Sequence, residues 1–93
     1  MRVRIRTQNV SRFLKSKGHT LVFPDRRRAG MSARQLGDYE VWVSISYDKD
    51  NPEMPAIVAD VVSTLHEGGY ITRVAHQNLN HAAIIVTRPE VTS

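Results

Sequence analysis

The chain has no cysteine among its 93 residues, which excludes a disulfide scaffold, a thiol nucleophile and any cysteine-ligated zinc or iron–sulfur site. Long apolar runs are missing too. No stretch approaches the roughly 18–20 residues a membrane-spanning helix needs, so a membrane is not expected among the partners. Aromatic residues are scarce at 6%, and the interleaved aromatics and signature string of an RNA-recognition-motif surface are absent. No GxGxxG or Walker pattern occurs, and Gly68-Gly69 reads as a helix stop. Ser11 and Ser63 lack a nucleophile-elbow context. Asp60 and Glu67, seven apart on one helix, form a solvated face and not an acid–base pair. His19, His66, His76 and His81 include no HxxxH helix pair; His76 and His81 flank a hairpin loop with no carboxylate beside them in sequence. The expectation is a non-enzyme with no metal and no cofactor. The basic N-terminus, MRVRIRTQNV, has no apolar signal core, so a cytoplasmic location is expected.

What the chain does have is positive charge, unevenly spread. Thirteen Lys and Arg face nine Asp and Glu, for a net +4. Residues 1–40 carry ten bases against Asp25, Asp38 and Glu40, a net +7; residues 41–93 carry three bases against six acids, a net −3. Such asymmetry points to a polyanionic partner. Ten of the thirteen bases are arginine, a bias that GC-rich coding also produces. The length suits one domain, 1–93, with a thin core: a chain this short buries about two-thirds of the surface its unfolded form exposes.

The hydrophobic pattern predicts seven elements. Arg2, Arg4 and Arg6 alternate with Val3 and Ile5, as in a half-buried strand with an arginine outer face. Val10, Phe13 and Leu14 mark a helix over 10–17, capped by Asn9 or Ser11 and stopped by Gly18. His19–Phe23 reads as a short strand ended by Pro24, and 24–38 as a long basic loop. Over 39–48, Tyr39, Val41, Val43, Ile45 and Tyr47 form a core face, with Trp42, Ser44 and Ser46 on the other. Asn51 and Pro52 open a second helix that ends near Glu67, and its apolar face is Met54, Ile57, Val58, Val61, Val62 and Leu65. Two strands follow, 70–76 and 82–88, joined by a loop at 77–81; 89–93 is a tail. The run AAIIV does not alternate, which places its strand centrally in the sheet.

The expected fold is α+β: a two-layer sandwich of four or five mainly antiparallel strands with two helices on one face, in the order βαββαββ. Aligning Leu14 with Leu65 also aligns Gly18 with Gly69 and His19 with Tyr70. Any helix-to-strand turn tends to place Leu and Gly in this way, so coincidence is the expected explanation over duplication. A true αββ repeat would leave one sheet face open, with Trp42 on it.

The candidate nucleic-acid-binding residues are Arg2, Arg4, Arg6, Lys15, Lys17, Arg26, Arg27, Arg28 and Arg34. Guanidinium groups match phosphate oxygens bidentately, and a basic loop can reach into a groove. Solubility, and protection of a strand edge, would use the same charges. Trp42 can stack on an unpaired base or anchor a protein partner, or else close a gap beneath the long loop. NVSRFLKSKGH at the front and GGYITRV with AAIIVTRP at the back give the chain a texture that resembles small accessory proteins of actinobacteriophages. That resemblance implies action without catalysis, by binding nucleic acid or a host protein. The sequence therefore points to a nucleic-acid-binding domain, double-stranded DNA foremost. The rival is a protein-interaction module using an open sheet face or an edge strand, and homo-oligomers are compatible with either.

Overall fold

A computed structural model describes residues 1–19 and 30–90. Its elements are α1 (Thr7–Ser16), β1 (Gly30–Leu36), β2 (Glu40–Ser46), α2 (Met54–Glu67), β3 (Ile71–Gln77) and β4 (His81–Thr87). The strands form one antiparallel sheet in the order β1-β2-β4-β3. Both helices pack on the same face, which makes the expected two-layer α+β sandwich.

Periodicity explains each layer. In α1, Val10 and Leu14 are fully buried; in α2, Met54, Val58, Val61 and Leu65 fall on one helical stripe and are buried with them. β2 alternates strictly, with Val41, Val43 and Ile45 inward and Trp42, Ser44 and Ser46 half-buried on the other side. These inward residues pair across the central seam with Val86, Ile84 and Ala82 of β4, so one apolar layer runs under both helices. β4 lies between β2 and β3, the central place its unbroken apolar run implies.

The αββ repeat is real. Each strand of the second unit follows its counterpart by 41 residues, Gly30 to Ile71 and Glu40 to His81. Val43 and Ile84, equivalent at that spacing, pair directly at the centre of the sheet, so a pseudo-two-fold axis passes between them. The helix ends are 51 residues apart, Ser16 to Glu67. Both helices close with the same hydrogen bonds: His19 N–H donates to the Leu14 carbonyl (2.9 Å), and Tyr70 N–H to the Leu65 carbonyl (3.0 Å). One residue earlier, Gly18 and Gly69 donate to Lys15 and His66 at φ +92° and +85°. This is the Schellman arrangement, which needs a left-handed residue at that position. The shared caps, the shared strand lengths and the two-fold order make the two units equivalent in architecture.

Four details of the sequence reading are corrected. First, residues 1–6 are not a strand, although the backbone at Arg6 is extended. Among the described residues, the Ile5 N–H bond to the Asp38 carbonyl ties them to the β1–β2 turn without forming a ladder. The alternation does set burial, with Ile5 in the core and Arg2, Arg4 and Arg6 exposed. Second, α1 begins at Thr7, without a cap from Asn9 or Ser11; Gln35 accepts from the Thr7 N–H instead. Third, residues 30–36 of the expected 24–38 loop are strand β1, paired along its whole length with β2. Its sequence, GMSARQL, is poor in β-formers. Burying Met31 contributes about 1.5–3 kcal/mol, more than the ~1 kcal/mol that strand propensity spans, so pairing wins. Fourth, His19 is not in a strand, and the described residues supply four strands in the order αββαββ; the rest of the expected 19–23 strand, like residues 24–29, lies outside the described residues. A smaller shift concerns α2, which starts at Met54 after an Asx turn in which Asn51 Oδ1 accepts from Glu53 N–H (2.9 Å).

Candidate functional site

Two basic features meet at one end of the sheet. The first surrounds the β1–β2 turn. The N-terminal segment crosses that turn, and its exposed Arg4 and Arg6 line a hollow of about 410 Å³ with Gln8, Gln35, Gly37 and Asp38. Gln35 organises the hollow: its Oε1 accepts from the Thr7 N–H and hydroxyl (2.9 and 2.8 Å), while its Nε2 donates to the Ile5 and Gly37 carbonyls (both 2.7 Å). Arg2 lies over the Tyr39 ring at 4.5 Å and shares a second hollow with Arg88, which follows β4.

The second feature is the sheet face turned away from the helices. Among the described residues no helix packs on it. The register places Arg34, Trp42, Ile85 and Arg73 in one row across all four strands. The next row holds Ser32, Ser44, Ala83 and His76. Trp42 leans along its strand, its indole N–H donating to Ser44 Oγ (2.7 Å), and the Arg34 guanidinium lies 5.5 Å from the ring centroid. Ala83 is the symmetry counterpart of Trp42 and is fully buried although its register places it on this outer side. The His76 and His81 rings, 5.4 Å apart, flank it. Glu40 is the one acid that the four strands carry. Among the described residues no carboxylate pairs with an arginine; the ion pair present is His19 with Asp60 at 3.6 Å, on the helix side.

The sequence-predicted residues divide accordingly. Arg2, Arg4 and Arg6 gather round the turn, and Arg34 lies one row in from it on the open face beside Trp42. Lys15 and Lys17 stand apart at the C-terminal end of α1, where their charge complements the helix dipole and Lys17 reaches the Phe13 ring (6.0 Å). Arg26, Arg27 and Arg28 lie outside the described residues. Sequence reasoning missed Arg73 and Arg88, because each is a lone base in the acidic part of the chain. Alternation along β3 and β4 from the Ile84 position could have placed Arg73 opposite Ile85 on the outer side. A group of three or more His, Asp or Glu able to hold a metal does not occur among the described residues.

No protein-family model matches the chain, and neither a curated protein nor a solved structure is similar to it.

Proposed function

We propose that this protein is a non-enzymatic nucleic-acid-binding domain that holds its ligand mainly through phosphates. The observation that carries the reading is the set of arginines without carboxylate partners at one end of the sheet: Arg2, Arg4 and Arg6 around the turn, Arg34 and Arg73 on the open face. An arginine with no carboxylate partner keeps its donors for an external anion, and a cluster raises the local potential enough to speed the approach of a polyanion. Phosphate contacts fix position without reading sequence, so affinity is expected to depend more on salt than on base order. Duplex DNA, the form to which the sequence pointed, is the first ligand to test, with a single strand beside it.

Anisotropy of a labelled duplex, titrated with protein at several salt concentrations, measures this directly. If about five phosphates are neutralised, log affinity falls against log salt with a slope of roughly −4 to −5, and the double variant R4Q/R6Q flattens the slope by about two. Absence of binding to duplex and single strand alike at low salt, or binding indifferent to salt, overturns the proposal. A protein that co-purifies stoichiometrically through nuclease and high salt would favour the rival class instead. The surface available to it is edge strand β3, where Ile71 and Val74 are about half exposed.

A further inference from the structure

We infer that the outer sheet face is a stacking platform for an unpaired base, and that the preferred ligand is single-stranded nucleic acid. The inference rests on the proposed nucleic-acid reading and specifies the form of the strand.

An isolated tryptophan on a sheet has two ordinary uses: filling a gap under another element, or meeting a flat partner. Among the described residues no element covers Trp42. Its indole is held by the bond to Ser44, so the ring is oriented before any ligand arrives. Among the described residues, the Arg34 guanidinium lies over it at 5.5 Å, a planar cation in the position a base would take. A base displaces that guanidinium, and Arg34 then turns its donors to the adjoining phosphate. Half-buried Ile85 extends the apolar floor on the next strand, and Arg73 on the far edge supplies a second cation, three strand spacings or roughly 14 Å from Arg34. Thus an apolar, aromatic centre has a cation on each side, able to hold the phosphates that lead to and from a stacked base.

A paired base inside a duplex offers no π-face to such a surface, because its neighbours in the stack already cover it. A single strand does. Stacking is indifferent to base identity, so tolerance of sequence is expected along with preference for strand form.

Trp42 is the chain's sole tryptophan, so its emission reports on this face alone. The probe is oligothymidylate of about twelve nucleotides, within the ~4–16 that a single-strand-binding domain covers, set against a duplex of equal length. The expected result is saturable quenching by the single strand, with tighter binding than to duplex. W42A weakens single-strand binding about tenfold or more, and W42F retains most of it. Should W42A fail to fold, R73Q decides: it leaves the indole untouched and is expected to flatten the single-strand salt slope by about 0.7. Duplex binding equal to or tighter than single-strand binding, with tryptophan emission unchanged, overturns this inference and leaves the phosphate reading standing. Failure of both probes to bind at low salt overturns both.

Discussion

Gln35 shows how much one uncharged side chain can organise. It is exposed, yet its amide joins the N-terminal segment, the first turn of α1 and the β1–β2 turn through four hydrogen bonds. The helix supplies no side-chain cap of its own, so Gln35 replaces one from a strand 28 residues away. Exposed hydrogen bonds contribute roughly 0.5–1.5 kcal/mol each and overlap in effect, so Gln35→Ala is expected to cost about 1–2 kcal/mol. Urea unfolding checks the magnitude. Hydrogen exchange checks the mechanism, since the Ile5 and Thr7 amides should lose protection ahead of the sheet. A stability loss with those two amides still protected would show that the clamp is not what holds Arg4 and Arg6 in place. This role was illegible in the sequence, because a glutamine gains it only once GMSARQL is known to be a strand passing beside residues 5–7.

At the scale of elements, legibility followed the strength of local pattern. β2 and α2 carry complete apolar faces, and both helix ends carry a glycine just past the last buried leucine, so these were readable. β1 was not, since its inward positions are Met31, Ala33 and Gln35, and pairing with β2 does what composition does not. The first six residues failed in the opposite sense: their alternation is that of a strand, but the chain there meets a turn and finds no edge to pair with. On the open face, Trp42 and Arg34 were recognisable singly, whereas their juxtaposition with Ile85 and Arg73 depends on long-range register. The matched helix ends allow a quantitative test. An added Cβ at Gly18 or Gly69 would meet nothing within 4 Å, so the penalty of alanine there is purely one of backbone conformation. G18A and G69A are each expected to lower stability by about 1–2 kcal/mol, and by similar amounts, in denaturant melts. A large difference between them would mean that the two caps are not energetically equivalent.

For the whole molecule, the two units differ chiefly in the connection between helix and first strand. Ten more residues separate α1 from β1 than separate α2 from β3. Joining His19 directly to Gly30 would give the first unit the spacing of the second, and that deletion, which also removes Arg26, Arg27 and Arg28, is expected to leave a folded protein. Circular dichroism and a cooperative melt test the fold, and the salt slope of the deleted form measures what those three arginines add. Loss of the cooperative melt would show that the first unit needs its longer connection.

The central seam also dictates an order of events. Each hairpin joins neighbours in sequence, but β2 meets β4 only when residues as distant as Val41 and Val86 find each other. Pairing that spans so much chain is slow compared with closing a hairpin. During synthesis the first αββ unit therefore emerges with the inner edge of β2 unsatisfied, and it stays so until β4 has left the ribosome. In that interval the edge is free to take a strand from another nascent copy, and the same two-fold geometry that completes the monomer would accommodate the exchange.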